Sequence, residues 1–411
     1  MATYVSQSDF VNVTMEEWQK NVPLTVNVKH WLNNNLKTKV LNHQGESLVN
    51  IPFQIQLIEG AQPSGENVAN PTPRSPNFAK GQLYMKKIVA RMLFSEETIS
   101  LNKGSAVIVN DLNNLMNGTL NTFNMTREFM MHQPGSGVLC QATGAPSGHT
   151  VTVESCRWLR VGMTLDGYHS TNKDCDSVYI TDIDYDANTF TLVDPSGDVG
   201  SINSDTEFMI ADTYVTSHTA VTTMFCNGIE LLINDTDHDW DVLGIDRGTY
   251  NYAKAVVKYG GTPGADEALT LARMRAVMDS IDINWGQDLP SIIYCSVPVF
   301  NAYQEVLRNA QQPTVNMPAK DGYPAGLEFV YNGNTCRIVS SRLCLPETMF
   351  FINPDHLIKY KAADTGWDTL AGPLQKVAGY QQYEKVYRGW ENYGVDVFKA
   401  HGRLADVTGV A

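Results

Sequence analysis

The feature that most constrains this chain is a pair of β-strands joined by a loop too long for a compact hairpin. Residues 48–58 alternate apolar and polar side chains, and residues 82–94 return as a second strand after a loop rich in proline, glycine and asparagine. One side of the first strand carries Val49, Ile51, Phe53, Ile55 and Leu57. An isolated two-stranded ribbon is only marginally stable in water. The pattern therefore predicts an extended flap that rests on a neighbouring molecule, or else an ordinary surface hairpin with a flexible tip.

A long proline-free segment predicts one helix over residues 105–132, ended by the breaker signal at Pro134 and Gly135. Its apolar face carries Ile108, Leu112, Leu115, Met116, Phe123 and Met130. The opposite face carries Asn110, Asn114, Asn117, Asn121 and Asn124. Asparagine is a poor helix former. Its repetition indicates a neutral polar surface, although plain solvent exposure is the better explanation for any single asparagine.

Charge is distributed unevenly along the 411 residues, a length that fits two or three domains. The net charge is −14, and residues 143–217 alone hold twelve acidic and three basic residues, a net charge of −9. Residues 1–104 have a net charge of +2. Residues 145–217 also read as short β segments separated by turn residues, which predicts a small acidic all-β domain inserted into a host domain.

The remaining segments predict an arm, a mixed α/β region and a β tail. Residues 1–47 form no obvious core and are expected to gain order from contact with something else. Helices are expected over residues 265–281 and from Pro298 onward, and Asn332-Gly333 indicates a hairpin turn. The tail, residues 376–401, alternates aromatic and polar residues and predicts two more strands.

Cysteine usage indicates synthesis in a reducing compartment. The count of seven is odd and no two cysteines form a C-x-x-C pair, which argues against a disulfide framework and a zinc ribbon. No apolar run approaches the ~18 residues of a membrane-spanning helix. The N-terminal segment lacks the basic and apolar stretches of a secretory signal, so no export and no membrane contact are expected.

No nucleotide-binding, metalloprotease or nucleophile-elbow motif occurs in the sequence. Asp182, Asp184 and Asp186 begin like a calcium loop, but Ala187 and Val193 occupy the positions where that loop needs glycine and glutamate. The run is better interpreted as a hairpin turn over residues 185–190. No catalytic, cofactor-binding or metal-binding residue is therefore predicted.

Two sets of charged residues remain as candidates. The acidic set is Asp235, Asp237, His238, Asp239 and Asp241. A cation could bind there, but a solvated loop or a charged contact between subunits is the favoured interpretation. The lysines on or beside the flap are Lys80, Lys86 and Lys87. We interpret them as surface lysines that bind acidic residues of a neighbour rather than as groups for covalent chemistry.

The arm has a basic character. Between Glu17 and Glu46 the only residues charged at pH 7 are lysines. They are Lys20, Lys29, Lys37 and Lys39. This stretch is compatible with weak contact to a polyanion.

The order of these elements resembles the tailed-bacteriophage major capsid protein of the Hong Kong 97 type. Residues 124–143 resemble the end of its spine helix, and residues 244–256 a segment of members with inserted domains. Residues 269–307 resemble its helix–strand–helix in the axial domain, and residues 326–357 the strand passage that follows. The likeness covers nearly the whole chain outside 145–217, and its specificity lies in the order of the segments.

The resemblance implies an α+β Hong Kong 97-like capsid fold with an inserted small all-β domain. The implied parts are an N-terminal arm (1–47), an extended loop or E-loop (48–93), a spine helix with peripheral domain (94–142), the inserted acidic domain (143–217), an axial domain (218–352) and returning peripheral strands (353–411).

The resemblance also implies a function. Such subunits form hexamers and pentamers of an icosahedral phage head around double-stranded DNA, so the chain is expected to be a non-enzymatic virion protein made in the host cytoplasm. Expected partners are a separate scaffolding protein, a portal, and a decoration protein on the acidic domain unless that domain braces capsomers. Alternatives are an encapsulin-type nanocompartment shell and a metal-dependent hydrolase that uses the run from Asp235 to Asp241.

Overall fold

In the part that the structure describes, the chain folds into three six-stranded sheets, two two-stranded sheets, five α-helices and two short 3-10 helices, Asn251–Ala253 and Phe398–Ala400. The structure is a computed structural model. It describes residues 31–41, 48–61, 63–66, 72–96, 106–193, 201–215, 222–238, 240–309, 328–362, 365–368 and 375–408.

The first sheet is built around one long strand, β20 (Gln382–Val395). Strand β4 (Lys86–Ser95) pairs with its first part, and β17 (Leu357–Ala362) pairs with its end, both antiparallel. Strand β1 (Lys37–Leu41) follows the short helix α1 (Trp31–Asn35) and pairs in parallel with β17. Two short strands complete the sheet: β18 (Gly366–Trp367) and β19 (Gln375–Lys376).

The flap leaves this sheet as a two-stranded ribbon. Its strands β2 (Leu48–Gln56) and β3 (Asn77–Tyr84) pair antiparallel, and β3 is followed after one residue by β4. The predicted strand pair is present, but the second strand of the flap is Asn77–Tyr84 rather than residues 82–94, because residues 86–95 pair with β20 in the first sheet. Helix α2 (Ala106–His132) matches the predicted long helix and packs against β4.

The second sheet comprises the acidic segment, in the order β5-β10-β7-β8-β9-β6. Its strands are β5 (Val138–Gln141), β6 (Thr150–Thr152), β7 (Thr164–His169), β8 (Asn172–Asp184), β9 (Thr189–Val193) and β10 (Glu207–Ile210). The Asp184 carboxylate accepts hydrogen bonds from the backbone of Asp186 and Ala187, both at 3.0 Å. This interaction makes the predicted hairpin turn between β8 and β9.

The third sheet has the order β11-β21-β16-β13-β15-β14. Its strands are β11 (Val256–Tyr259), β13 (Ile292–Cys295), β14 (Glu328–Tyr331), β15 (Asn334–Ser340), β16 (Met349–Ile352) and β21 (Gly402–Ala405). The predicted turn at Asn332-Gly333 joins β14 to β15, and both residues have positive φ.

Three helices accompany this third sheet and its surroundings. Helix α3 (Ile229–Leu232) precedes the sheet, and α4 (Leu271–Asn284) and α5 (Val297–Asn309) connect its strands. The Thr270 side chain caps α4 by accepting a hydrogen bond from the backbone of Arg273. A small parallel pair, β12 (Glu267–Ala268) with β22 (Val407–Thr408), lies beside it.

The buried side chains form two main clusters. One lies under the third sheet with α4 and α5, and includes Met274, Ile281 and Phe351. The other is continuous through the flap base, helix α2, the first sheet and the acidic second sheet. All seven cysteines are buried, and no two of them form a disulfide. Among the described helices, none is both long enough and apolar enough to cross a membrane.

The tail differs from its prediction of two strands, because β20 runs unbroken through residues 382–395. Two glycines in this strand permit close packing instead of breaking it. A Cβ at Gly389 would lie 2.9 Å from the Phe123 ring, and one at Gly394 would lie 2.8 Å from Ile51 Cδ1. The missing side chains therefore let helix α2 and the flap approach the strand.

We expect Gly228→Ala to lower the free energy of unfolding by roughly 3 kcal/mol or more, because a new methyl group would meet backbone. Its Cβ would lie 1.9 Å from Gln133 O and 2.8 Å from Met131 O. Gly118→Ala in helix α2 is the control, since no atom lies within 4 Å of its Cβ. We expect it to gain up to about 1 kcal/mol. Thermal unfolding of unassembled protein measures both, and equal stability of the two variants would contradict the packing.

Candidate assembly surfaces

The inner half of the flap belongs to the core of its own chain. Ile51, Phe53 and Leu83 are buried. The Phe53 ring lies 5.8 Å from the Phe398 ring and 6.2 Å from the Tyr252 ring, measured between centroids. This half of the ribbon is therefore held without help from another molecule.

The outer half of the flap exposes large apolar side chains. Leu57 is 72% exposed, Ile58 66% and Phe78 61%, and Ile55 is also exposed. Exposed large apolar side chains close together in the chain are typical of surfaces that bind another molecule. The prediction that the flap rests on a neighbouring molecule therefore concerns its outer half, because the inner half packs on its own chain.

A loop that contains the acidic run holds the base of the flap. The backbone N–H of Gln82 in β3 donates a hydrogen bond of 2.7 Å to the carbonyl of Leu243. Leu243 has a φ of 55° and Gly244 a φ of 69°, so the chain turns sharply where it contacts β3. The loop thereby completes the pairing of the flap's inner half.

Arg247 organises this loop from inside. Its guanidinium is fully buried and donates to the carbonyls of Leu232, Thr236 and Ala253 at 2.9, 2.9 and 3.0 Å. Burial lowers the pKa of Arg247 to about 10, against the opposing charges of Asp237 and Asp235. The sequence shows Arg247 only as one residue of the segment 244–256, and nothing in its spacing indicates that it is buried.

Part of the predicted acidic run supports Arg247. Asp237 Oδ2 accepts the backbone N–H of Arg247 at 2.9 Å. Asp239 lies outside the described residues. Carboxylate oxygens of Asp237, Asp241 and Asp246 lie within 4.8 Å of one another, but Asp246 already accepts from Gly248 and Thr249. Asp235 and Asp237 thus act within the chain, which leaves their predicted contact between subunits open.

The three predicted flap lysines have different surroundings. Lys80 on β3 is exposed, and Lys87 on β4 is exposed with its ammonium 5.6 Å from the Trp390 ring centroid. Lys86 is only 5% exposed and donates to the Thr223 carbonyl at 2.6 Å. Burial lowers the pKa of Lys86 to about 8. The prediction of a surface lysine at position 86 is therefore wrong, because the segment around Thr223 covers it.

Of the predicted arm, residues 1–47, only residues 31–41 belong to the described part of the chain. Lys20 and Lys29 lie outside the described residues, whereas Lys37 and Lys39 are exposed on β1. The Lys39 ammonium lies 5.8 Å from the Tyr360 ring centroid. These two lysines therefore form the exposed edge of the first sheet.

A cluster of buried polar groups fixes the arm end to the sheet and to helix α2. Glu391 is 1% exposed, and its carboxylate lies 2.8 Å from Arg127 Nε and 3.4 Å from Lys359 Nζ. Lys359 also donates to Asn33 Oδ1 at 2.8 Å, and the Tyr393 hydroxyl donates to the same oxygen at 3.3 Å. We call these five residues the Glu391 cluster.

Asn392, next to this cluster, joins three segments by hydrogen bonds. Its side-chain oxygen accepts from the backbone of Asn227 at 2.7 Å, and its amide donates to the Tyr84 carbonyl at 2.7 Å. Cys226 Sγ donates to the Glu391 carbonyl at 3.4 Å. The end of β20 is thus bonded to the flap base and to the segment before α3.

Burial changes the ionisation of the groups around the cluster. It raises the pKa of Glu128 to about 7, against Arg127 and backbone hydrogen bonds from Asn33. It lowers the pKa of Lys359 to about 8, against the attraction of Glu391. It also lowers the pKa of His132 to about 4. These groups stabilise the packing of the chain, and no described segment places them in an open cleft.

Comparisons with known proteins identify the fold. No protein-family model and no curated protein matches the chain. The chain is similar to the cyanophage A-1(L) capsid asymmetric unit, with a TM-score of 0.57, 11% identity, and coverage of 98% of this chain and 100% of that chain. It is also similar to the capsid of an empty GTA particle, with a TM-score of 0.52, 8% identity, and coverage of 99% and 100%.

A third structure, the holo-SrpI encapsulin complex from Synechococcus elongatus PCC 7942, has a TM-score of 0.49 at 6% identity, covering 99% of this chain and 98% of that chain. A likeness at this level supports no conclusion. The two capsid structures show that the chain has a capsid-like fold of mixed helices and sheets.

We expect Glu391→Gln to lower the free energy of unfolding by roughly 3 kcal/mol, because it leaves two buried cations without their carboxylate. Glu384→Gln on the same strand is the matched control. Glu384 also pairs with an arginine, at 2.6 Å from Arg91 Nε, but that pair is half exposed. Its loss costs at most about 1 kcal/mol. Denaturant unfolding compares them, and a similar loss in both variants would contradict the role of the cluster.

A second expectation concerns acid stability. His132 Nδ1 lies 2.6 Å from the Glu128 carbonyl and Nε2 lies 2.7 Å from the Tyr294 hydroxyl, so both nitrogens are used by the neutral ring. With the pKa lowered from 6.5 to about 4, the folded state binds fewer protons than the unfolded state in that window. Stability is therefore lost as pH falls from 6.5 to 4, by up to about 3 kcal/mol from this residue.

The measurement is the difference in unfolding free energy between the wild type and His132→Gln at several pH values. Glu128 has a raised pKa, so its own contribution makes the fold more stable as pH falls. This contribution is the same in both proteins and cancels in the difference. The difference should shrink from pH 7 to pH 4. Exposed His149, changed to Gln, is the control. A difference that stays constant with pH would exclude this role of His132.

Proposed function

We propose that the chain is the major capsid protein of a tailed bacteriophage, and that its copies assemble into an icosahedral head around double-stranded DNA. The observation that carries the proposal is the similarity to the cyanophage A-1(L) capsid, which extends over 98% of this chain and 100% of that one. Similarity over both full lengths relates the whole architecture to a shell subunit rather than one domain of it.

The parts of a Hong Kong 97-like subunit can be assigned to the described elements. The flap is the E-loop, α2 is the spine helix, the first sheet is the peripheral domain and the third sheet with α4 and α5 is the axial domain. The second sheet is the inserted acidic domain. It shares its core with helix α2, since the Trp158 ring lies 5.3 Å from the Phe129 ring. The insertion would then be a fixed part of the shell wall.

The flap supports assembly most directly. Its inner half is packed on its own chain, while Leu57, Ile58 and Phe78 expose apolar surface. Burial of such side chains stabilises a contact by about 1.5–3 kcal/mol each. Repeated between the subunits of each hexamer and pentamer, this contact would supply much of the free energy of assembly.

The exposed charged residues suggest further binding partners for the chain. The exposed Lys37 and Lys39 would contact packaged DNA weakly and without reading its sequence. Exposed Lys80 and Lys87 would bind acidic groups of a neighbouring subunit. A separate scaffolding protein and a portal would take part in assembly in the host cytoplasm, and the acidic domain would face outward towards a decoration protein. The role is structural rather than catalytic.

Electron microscopy of the expressed chain, alone and with its scaffolding protein, tests the proposal. We expect closed shells, with nuclease-protected DNA in particles from infected cells. A chain that stays monomeric in every condition would refute a shell function. Shells that hold an enzyme cargo instead of DNA would indicate a nanocompartment. Metal-dependent turnover lost in Asp237→Asn would indicate a hydrolase.

We expect Leu57→Asp to reduce the assembled fraction roughly tenfold, because each subunit then loses an apolar contact and must bury a charge. Gln54→Asp adds the same charge to the flap without removing apolar surface, since Gln54 is a polar exposed residue. We expect it to assemble nearly as the wild type does. Sedimentation separates shells from free subunits. If Leu57→Asp assembles as the wild type does, the outer flap is not part of the contact between subunits.

A further inference from the structure

A small recess lies where helix α2, the acidic segment and the third sheet meet. Thr126 and Phe129 of α2 line one side, Arg157 and Arg160 of the acidic segment line another, and Arg342 lies between β15 and β16. The volume of the recess is about 20 Å³, which is room for about one water-sized group. It adjoins an open cleft of about 780 Å³, because Thr126 and Arg160 line both. We call it the arginine recess.

The charged side chains of the arginine recess are all positive. Three arginines line it, and none of the described residues that line it is acidic. Positive charge is scarce in this part of the chain, since residues 143–217 hold twelve acidic residues and only three basic ones, Arg157, Arg160 and Lys173. Lys173 forms ion pairs with two of these acids. The two arginines form no ion pair with any residue that the structure describes, although acidic residues are abundant around them.

Arg157 has an N–H group at the recess that makes no hydrogen bond. Its guanidinium lies 4.4 Å from the Trp158 ring centroid, and the Trp158 ring nitrogen donates to the Leu343 carbonyl at 3.1 Å. Arg157 Nε is buried and donates to no described residue. Burial lowers the pKa of Arg157, against the charges of Glu230 and Glu154. A buried N–H without an acceptor and a partly desolvated cation both favour an anionic ligand.

Arg160 is oriented by helix α2. Its Nη2 donates to Thr126 Oγ1 at 3.0 Å, and the Thr126 hydroxyl in turn donates to the Thr122 carbonyl at 3.0 Å. The hydroxyl is therefore used on both sides and fixes one end of the guanidinium. Burial lowers the pKa of Arg160 as well. Arg160 makes no other hydrogen bond within the described ranges, so its remaining N–H groups can bind a ligand at the recess.

We propose that the arginine recess binds a phosphate group, supplied by free phosphate or by a nucleotide, and that Arg157 and Arg160 are its ligands. One phosphate oxygen enters the recess, and the other oxygens lie at its mouth in the cleft, where Arg342 adds a third positive charge. The bound group joins α2, the acidic segment and the third sheet. This inference goes beyond the proposed function, because it requires only the folded chain.

The chemistry of the recess favours phosphate over other anions. Planar guanidinium groups bind phosphate oxygens through two parallel N–H bonds. A phosphate group carries a charge of about −1.5 to −2 at pH 7, which offsets two cations, whereas a carboxylate offsets one. A nucleic acid strand requires cations in a row along its backbone, but the described cations of the recess and cleft lie together at one place.

Calorimetric titration of the unassembled chain with inorganic phosphate tests the inference, with the ionic strength held constant by chloride. We expect saturable binding to one site with a Kd of roughly 1 mM. Arg157→Gln and Arg160→Gln should each weaken binding roughly tenfold or more, because each removes charge-assisted hydrogen bonds. Arg275→Gln is the matched control, since Arg275 is an exposed arginine on α4 that does not line the recess. Its affinity for phosphate should equal that of the wild type.

Thermal unfolding distinguishes a ligand site from a purely structural role of the arginines. Phosphate should raise the unfolding temperature of the wild type and of Arg275→Gln, but that of Arg160→Gln only by the general salt effect. Without phosphate, Arg160→Gln should be at least as stable as the wild type, because it removes a half-buried charge that has no carboxylate partner. Equal destabilisation of Arg160→Gln with and without phosphate would overturn the inference.

Should the glutamine variants fail to fold, Arg160→Lys keeps the positive charge and removes the planar fork. We expect this variant to bind phosphate severalfold more weakly than the wild type. A folded Arg160→Lys protein that binds phosphate as tightly as the wild type would contradict the assignment of Arg160 as a ligand.

Two further probes identify the source of the phosphate. A nucleoside monophosphate that displaces inorganic phosphate and binds more tightly would assign the recess to nucleotides, and one that fails to displace it would assign the recess to free phosphate. A short oligonucleotide without a terminal phosphate that binds far more tightly than either, with a steep salt dependence, would show an extended nucleic-acid surface and overturn the inference.

The inference and the proposed function fail separately. If the folded wild type shows no saturable phosphate binding, or if neither glutamine variant weakens it, the phosphate site is refuted and the shell function is untouched. Failure of the wild-type chain to assemble would refute the proposed function and leave the phosphate site in place, because binding is measured on unassembled protein.

Discussion

The architecture depends on keeping charges buried at the end of strand β20. Glu391, Asn392 and Tyr393 are consecutive residues, yet they bond to helix α2, the arm end, the flap base and the segment before α3. Removing one partner of such a buried pair destabilises the fold by far more than the pair itself contributes. The remaining charge is buried, and no water can take the place of its lost partner. The four segments are therefore fixed relative to one another by groups that tolerate little displacement.

This arrangement separates the parts that hold the subunit together from the parts that are free to bind. Glu128, Lys86 and Arg247 are buried charged or ionisable groups whose partners lie within the chain. The outer flap, by contrast, exposes Leu57, Ile58 and Phe78. A chain built in this way would stay folded on its own and still expose apolar surface for the proposed assembly.

Local patterns in the sequence were sufficient for local structure. The alternation in residues 48–58, the proline-free run 105–132 and the Asn332-Gly333 pair each depend on neighbours a few residues apart, and the structure has a strand, a long helix and a hairpin turn at these places. The fold as a whole came from the order of these elements, which matched a capsid subunit. The tail was predicted as two strands over residues 376–401, whereas residues 382–395 form the single strand β20, whose glycines contact distant helix and flap residues.

The candidate surfaces could be predicted only in part for the same reason. Lys86 is covered by a residue 137 positions away, and Lys359 contacts an asparagine 326 positions away. The periodicity of apolar residues along the sequence cannot predict contacts between residues so far apart. The acidic run was recognised as a charged loop, but its support of Arg247 required the backbone path of residues 232–253. The alternation in residues 48–58 also does not show that the inner half of the flap is packed while the outer half is exposed.

The division of the flap at Phe53 has a mechanical consequence. The inner half moves with the body, because Gln82 is bonded to Leu243 and Phe53 packs on Phe398. The six residues from Phe53 to Glu59 span at most about 20 Å when extended, so a rotation of roughly 5° about Phe53 would displace Glu59 by about 2 Å. In the proposed shell, a change in the tilt of one subunit would therefore shift the contact that its outer flap makes with the next subunit, and would couple curvature between neighbours.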